Sequence, residues 1–334
     1  MEQATLLALY RTMCRIRAFE DAAEAASQGG VAAFGQAAGR AKVRGPLHLS
    51  TGQEAVAAGV CAHLRAADCL TSTHRGHGHT LAKGADATRM MLELFGRAGG
   101  TCGGKGGSMH IADFSVGMLG ANGVVAAGIP IAVGAAQSLK LRRVDALAVS
   151  FFGDGAINRG PFAESLNWAA AFALPVLFVC EDNQWSATTK TSTLSAGDGA
   201  VARARAAGVP AETVDGMDVE AVHAAAGRLI AQVRAGGGPR LLHALTYRFK
   251  GHVSVDQAAY RDAAELAHAV ADDPLPRTRA ALLARGTAPA ELDAVAAAAR
   301  AEIQAALDAA DAAPWPSPQA AFTDVQDTGA GRWS

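Results

Sequence analysis

The chain is poor in several features that mark whole classes of protein. Its five cysteines, Cys14, Cys61, Cys69, Cys102 and Cys180, are scattered through 334 residues with no Cys-x-x-Cys pair. A disulfide framework is therefore not expected, and free thiols suit a reducing cytoplasm. The net charge is −1, which offers no electrostatic reason to expect nucleic acid or an anionic membrane as a partner. No stretch approaches the roughly eighteen uninterrupted apolar residues of a spanning helix. The opening MEQATLLALYRTMCRIRAFEDAAEAA is acidic early and helically periodic, and it reads as a helix rather than a secretory leader.

What is present is a core-forming composition, 50% hydrophobic over 334 residues. That is enough for one large α/β domain with extensions. Helical periodicity runs over 3–28, Gln53–Arg65, 86–97, Ile129–Arg142, Pro161–Leu174, Ala200–Ala207 and Val219–Val233. Apolar runs at Leu147–Phe152, Pro175–Cys180, Glu212–Val214 and Arg240–Tyr247 read as strands. Residues 29–42 and 98–125 are glycine-rich and read as loops. The alanine-rich stretch Ala280–Ala313 reads as a helical pair, and the tail from Pro314 as an extended arm. The expected organisation is one domain over 1–334, with a helical extension at about 1–45 and a helical pair and arm at about 275–334.

The most informative local pattern is Gly153-Asp154-Gly155, followed by Glu181-Asp182-Asn183. Each stands at the end of an apolar run, with a helix between, so the unit is βαβ. Asp154 and Asn183 then lie past the carboxyl ends of parallel strands, where open α/β sheets place their ligands. A carboxylate and an amide oxygen suit a hard divalent cation such as Mg²⁺, which fills the rest of its octahedron with water and phosphate oxygens. The backbone N–H groups of Gly155 and Ala156, near a helix start, can meet the same phosphates.

These residues carry a resemblance. GDGAINRGPFAESLNWAAAFALPVLFVCEDNQW resembles the thiamine diphosphate motif of the alpha subunits of 2-oxo acid and acetoin dehydrogenase complexes. Four further segments match that family in order: HLSTGQEA from His48, HRGHG from His74, GGKGGSMH from Gly103 and YRFKGH from Tyr247. The resemblance implies a thiamine diphosphate-binding α/β fold, with a mostly parallel sheet flanked by helices. It implies Asp154, Asn183 and the backbone carbonyl of Trp185 as Mg²⁺ ligands, the family having Tyr where Trp185 stands. Cofactor contacts carried over in the same way are His74, Arg75, Gly123, Val125, Gly153, Gly155, Ala156 and His252. Arg75 matches the diphosphate-binding arginine, and His74 replaces the Tyr common just before it. A permanently charged fork suits paired phosphate oxygens.

Among the histidines, His252 is the leading catalytic candidate, since it matches the family histidine beside the cofactor and an imidazole suits proton handling. The residue after it is Val253, so the serine phosphorylated there in regulated relatives is missing. His48 matches a histidine near the substrate channel. His77 is open between lining the active site and holding the loop. The spacing of His74, His77 and His79 lacks the fourth ligand of a structural zinc site. His63, His223, His243 and His268 read as structural. Gly99–Gly106 nearly fits a nucleotide-binding phosphate loop, but Gly106 stands where Ser or Thr is needed. No Gly-x-Gly-x-x-Gly is found for a nicotinamide cofactor.

The family's reaction uses the thiazolium as an electron sink, and ylid formation needs a Glu that the family carries on a beta subunit. The resemblance thus implies half of a site in an α₂β₂ assembly, feeding a lipoyl-bearing acyltransferase. Gly117–Gly123 looks more like acetoin dehydrogenases than branched-chain 2-oxo acid enzymes, with pyruvate dehydrogenases between. Acetoin or pyruvate is the expected small-molecule substrate. A branched-chain 2-oxo acid enzyme and a catalytically inactive scaffold of the same fold are the alternatives.

Overall fold

The structure is a computed structural model that describes residues 1–28, 41–43 and 45–323. The chain enters through α1 (Gln3–Ser27) and α2 (Glu54–Cys61), then β1 (Cys69–Thr71), α3 (His77–Ala82), α4 (Ala87–Leu94), β2 (Met118–Gly120) and α5 (Gly128–Leu141). The βαβ unit follows as β3 (Ala148–Gly153), α6 (Gly160–Ala171) and β4 (Val176–Asp182). A small hairpin, β5 (Trp185–Ser186) and β6 (Thr189–Lys190), leads to α7 (Gly199–Ala206), β7 (Ala211–Asp215), α8 (Val219–Arg234) and β8 (Arg240–Leu245). Three helices close the described chain: α9 (Ala263–Ala271), α10 (Pro274–Ala284) and α11 (Pro289–Ala312).

Six strands form one parallel sheet in the order β2-β1-β3-β4-β8-β7. β3 and β4 are apolar at nearly every position because both faces are covered, as parallel sheets require. Ala148, Phe152, Val176, Phe178 and Cys180 pack under α5, α6 and α7. The alternate residues Val149, Phe151, Leu177 and Val179 pack under α2 and α8. α8 presents a stripe of Val222, Ala226, Leu229, Ile230 and Val233 to that face. It is started by Asp218, whose carboxylate accepts the N–H groups of Glu220 and Ala221. α1 packs against α10 and α11 through Leu6, Leu9, Met13, Leu282 and Leu292.

The strand order decides where a ligand can sit. From β1 the chain turns outward to β2, and from β3 it proceeds the other way to β4. The loops leaving β1 and β3 therefore diverge, opening a crevice at the carboxyl ends of the strands.

Several sequence expectations need correction. The helix read over Gln53–Arg65 ends at Cys61. The passage 98–125 is not all loop, since it contains β2 and two 3₁₀ turns at Ser108–His110 and Phe114–Val116. β1 and α3 escaped the reading. The arm from Pro314 is not simply extended: Pro318–Phe322 is a 3₁₀ turn, and the Pro314 carbonyl accepts from Ala98 N at 3.0 Å. Most of the glycine-rich stretch 29–42 lies outside the described residues; at its end Lys42 N donates to Ala26 O.

Candidate active site

The crevice holds a cavity of about 180 Å³. Ser72, Thr73, His74 and Arg75 reach it from the loop after β1, Gly153 to Ala156 from the end of β3, and Asn183 to Ala187 from β4 and the hairpin, Gln184 excepted. Arg248 and His252 come from the segment after β8, and Val125 from the loop before α5. Ten of the sequence-derived cofactor residues thus meet: His74, Arg75, Val125, Gly153, Asp154, Gly155, Ala156, Asn183, Trp185 and His252. Gly123 does not line the cavity, although its neighbours Asn122 and Val124 do.

Asp154 opens a 3₁₀ turn and is buried. Its carboxyl is pushed up to about 6, first by burial and also by Asp182, against a hydrogen bond from Thr191. Asn183 faces it across the sheet edge. The Asn183 amide donates to Gln53 Oε1 at 3.1 Å, and its Oδ1 accepts from Trp185 N at 3.1 Å. Gly155 is demanded by space, since a Cβ there would lie 2.5 Å from Ser186 Oγ in the hairpin.

Opposite these oxygens stand two buried cations. Arg75 and Arg248 are 4% and 1% exposed. Neither forms an ion pair among the described residues. Arg75 donates to the carbonyls of Leu49 and His252, both at 2.8 Å. Arg248 donates to Ala187 O at 3.2 Å, and its Nε has no partner among the described residues. Burial and mutual repulsion push Arg75 well below the ordinary guanidinium range. Arg248 is pushed down to about 10 by burial and then by Arg261. Desolvated guanidiniums without a direct ion pair are costly. An anion with several oxygens, such as a diphosphate, fits this donor set.

Two imidazoles, His74 and His252, complete the wall, and a third, His48, packs against them. The ligating nitrogens of His48, His74 and His252 lie within 4.8 Å of one another. His48 packs edge-on against His74 and His252, with ring centroids 4.6 and 4.9 Å away. Burial first, and then the Arg75 charge, hold His48 near 3, His74 near 2 and His252 near 4, so all three rings are neutral at physiological pH. His48 stands behind the other two, and its buried Nδ1 has no partner among the described residues.

His77 lies elsewhere. Its ring is fully buried, Nδ1 2.8 Å from Glu20 Oε2 and Nε2 2.9 Å from Ser108 Oγ. Both nitrogens are engaged by protein groups away from the cavity, so of the two readings of His77 the structure supports the loop-holding one. His79 stacks on Phe151 at 3.9 Å and meets Ser72 and Glu181. The trio His74, His77 and His79 is thus dispersed among different neighbours.

Sequence reasoning missed Arg248, Gln53, Glu181 and Asp256. The Asp256 carboxylate accepts His252 N at 2.6 Å, Tyr260 OH at 2.7 Å and Ala258 N at 2.8 Å, stapling the loop that carries His252. Arg248 stood inside the YRFKGH segment and Gln53 inside HLSTGQEA, so polar residues within matching segments were the available signal.

With this geometry in hand, the comparisons with known proteins are decisive. The model of the family described as "Dehydrogenase E1 component" matches residues 30–319. The chain belongs to the dehydrogenase E1 component family. It is 44% identical over 327 residues to the alpha subunit of acetoin:2,6-dichlorophenolindophenol oxidoreductase from Cupriavidus necator, covering 97% of this chain and 95% of that protein. The subunit of the same name from Bacillus subtilis is 48% identical over 254 residues, 76% of this chain and 73% of that one. The pyruvate dehydrogenase E1 component alpha subunit of Zymomonas mobilis is 37% identical over 326 residues, 97% of this chain and 89% of its own length. Membership of the E1 family implies thiamine diphosphate, and these relatives are alpha subunits, which implies a beta subunit as partner. No helix among the described residues is long and apolar enough to cross a membrane.

Proposed function

We propose that this chain is the alpha subunit of a thiamine diphosphate-dependent dehydrogenase that cleaves acetoin or decarboxylates a 2-oxo acid such as pyruvate. Its acyl product passes to a lipoyl-bearing acyltransferase. The observation that carries the reading is the pair of buried arginines, Arg75 and Arg248, neither in a direct ion pair among the described residues, lining one cavity with Asp154 and Asn183. A diphosphate bridged to the carboxylate side by Mg²⁺ would satisfy both halves. Asp154, Asn183 and the Trp185 carbonyl are the proposed metal ligands. When bound, the cofactor's thiazolium supplies an electron sink for carbon–carbon cleavage.

The chain's own residues anchor and orient. Arg75 and Arg248 hold the diphosphate, Val125 packs at the cavity wall, and the hairpin after β4 closes over Gly155. The neutral imidazoles of His74 and His252 handle protons at the reacting centre, with His48 supporting them. A Glu that the family carries on its beta subunit would complete the site, so activity would belong to the assembly.

Calorimetric titration of the assembled complex with cofactor and Mg²⁺ tests the reading. Asp154→Ala is expected to abolish metal-dependent binding while the fold persists, and undiminished affinity would remove the metal assignment. The purified chain alone is expected to be inactive on acetoin and pyruvate, and its beta partner to restore turnover.

A further inference from the structure

The two imidazoles that line the cavity are not equivalent. A guanidinium can only donate, and His252 Nδ1 lies 3.2 Å from Arg75 Nη2 and 3.3 Å from Arg248 Nη1. Nδ1 is therefore the acceptor, and the neutral His252 ring carries its proton on Nε2. His252 offers the cavity a hydrogen-bond donor and has no acceptor left. His74 is different: its ring makes no hydrogen bond with the described residues, and it keeps an unprotonated nitrogen beside the cavity. The same two guanidiniums, in contact with the cluster, oppose a dication among these histidines.

That division bears on which substrate the site can cleave. When a 2-oxo acid breaks its carbon–carbon bond, CO₂ leaves and no proton has to be removed for the cleavage. A vicinal hydroxyketone is more demanding. The bond's electron pair stays with the former carbonyl carbon, for which the bound cofactor would supply the electron sink, and the carbinol carbon leaves as an aldehyde. The O–H electron pair becomes the second C–O bond of that aldehyde, so the hydroxyl proton needs an acceptor at the site.

We propose that His74 is the base that takes this hydroxyl proton while His252 Nε2–H donates to the ketone oxygen, making the site one for vicinal hydroxyketones. This rests on the cofactor reading given above. Burial and Arg75 keep His74 neutral in the free chain. Diphosphate charge beside Arg75 and Arg248 would offset the arginine part of that effect, while burial, its larger cause, remains. Neutral imidazoles also supply no counter-charge for a substrate carboxylate.

The test uses the complex assembled with its beta subunit and a dye as electron acceptor. Acetoin cleavage is followed as aldehyde, pyruvate decarboxylation as CO₂, and cofactor affinity by calorimetry, for the parent, His74→Gln and His74→Tyr. The parent is expected to favour acetoin by roughly tenfold or more in kcat/KM. Both variants should lose acetoin cleavage by about 10²- to 10⁴-fold, a loss exceeding any loss of pyruvate turnover or cofactor affinity by at least about tenfold. A parent that prefers pyruvate, or variants in which both reactions fall together or acetoin cleavage survives, would overturn the base assignment while leaving the cofactor reading standing. A parent that binds no cofactor would overturn both.

Discussion

Replacing Arg248 with Met should move stability and cofactor affinity in opposite directions. The side chain is 1% exposed and has no carboxylate partner among the described residues. Its pKa is held near 10 in place of the ordinary 12.5, which disfavours the charged form in the folded chain by about 3 kcal/mol. Removing it forfeits the bonds to His252 Nδ1 and Ala187 O, each worth about 1 kcal/mol net. Met fills similar volume without a charge, so the cofactor-free chain should gain about 1 kcal/mol. The diphosphate loses a charge-assisted donor worth about 1.5–3 kcal/mol, or roughly 10- to 150-fold in affinity. Denaturant titration of the free chain and calorimetry on the assembled complex measure the two effects. A variant that is destabilised by more than about 1 kcal/mol and binds cofactor as the parent does would show Arg248 to be a strut, and the anion-site reasoning would be wrong.

Gly155→Ala should weaken cofactor binding by about tenfold, because its Cβ would sit 2.5 Å from Ser186 Oγ and push the hairpin away; Ser186→Gly in the same chain should restore binding, as calorimetry would show. Glu93→Gln should cost about 2–4 kcal/mol and open the 99–107 loop to limited proteolysis, since the buried carboxylate accepts N–H groups from Cys102, Gly104, Gly106 and Gly107 at 2.7 to 3.1 Å. Acid should destabilise the free chain through His48. Its folded pKa near 3 lies below the ordinary 6.5, so between those values the unfolded chain binds a proton that the folded ring refuses. Stability then falls as pH drops, by up to about 1.4 kcal/mol per pH unit from His48, beside like contributions of His74 and His252, and His48→Phe should remove its share of that slope in denaturant titrations. An unchanged slope would show that His48 is not one of the titrating groups.

The parts of the fold that sequence revealed are those whose signals are local. β3 and β4 are continuous apolar runs, and a glycine-bounded carboxylate after one and an amide after the other place the ligand edge. β1 and β2, three residues each, are too short to show a period. They belong to the sheet only because α5 and the strands beside them supply burial. α3 is six residues long with no side-chain cap, and its start in a histidine-glycine sequence reads as loop. The glycines of 99–107 looked like flexibility, yet Gly104 combines φ of +78° with a close approach to the Gly96 backbone. They are there because Glu93, distant in sequence, gathers their N–H groups.

The same limit applies more sharply to the histidines. Their positions were legible from matching segments, but their chemistry depends on which ring nitrogen is already taken. His77 is occupied at both nitrogens, by Glu20 57 positions before it and Ser108 31 after it. His252 is occupied at Nδ1, by Arg75 from 177 positions away and by Arg248 from the preceding turn. His74 has no hydrogen-bond partner among the described residues. Three imidazoles of equal reach along a motif thus become a strut, a donor and an acceptor. Only the sheet order that brings the β1 loop against the segment after β8 makes that distinction, because it delivers the guanidinium that decides which nitrogen of His252 keeps its proton.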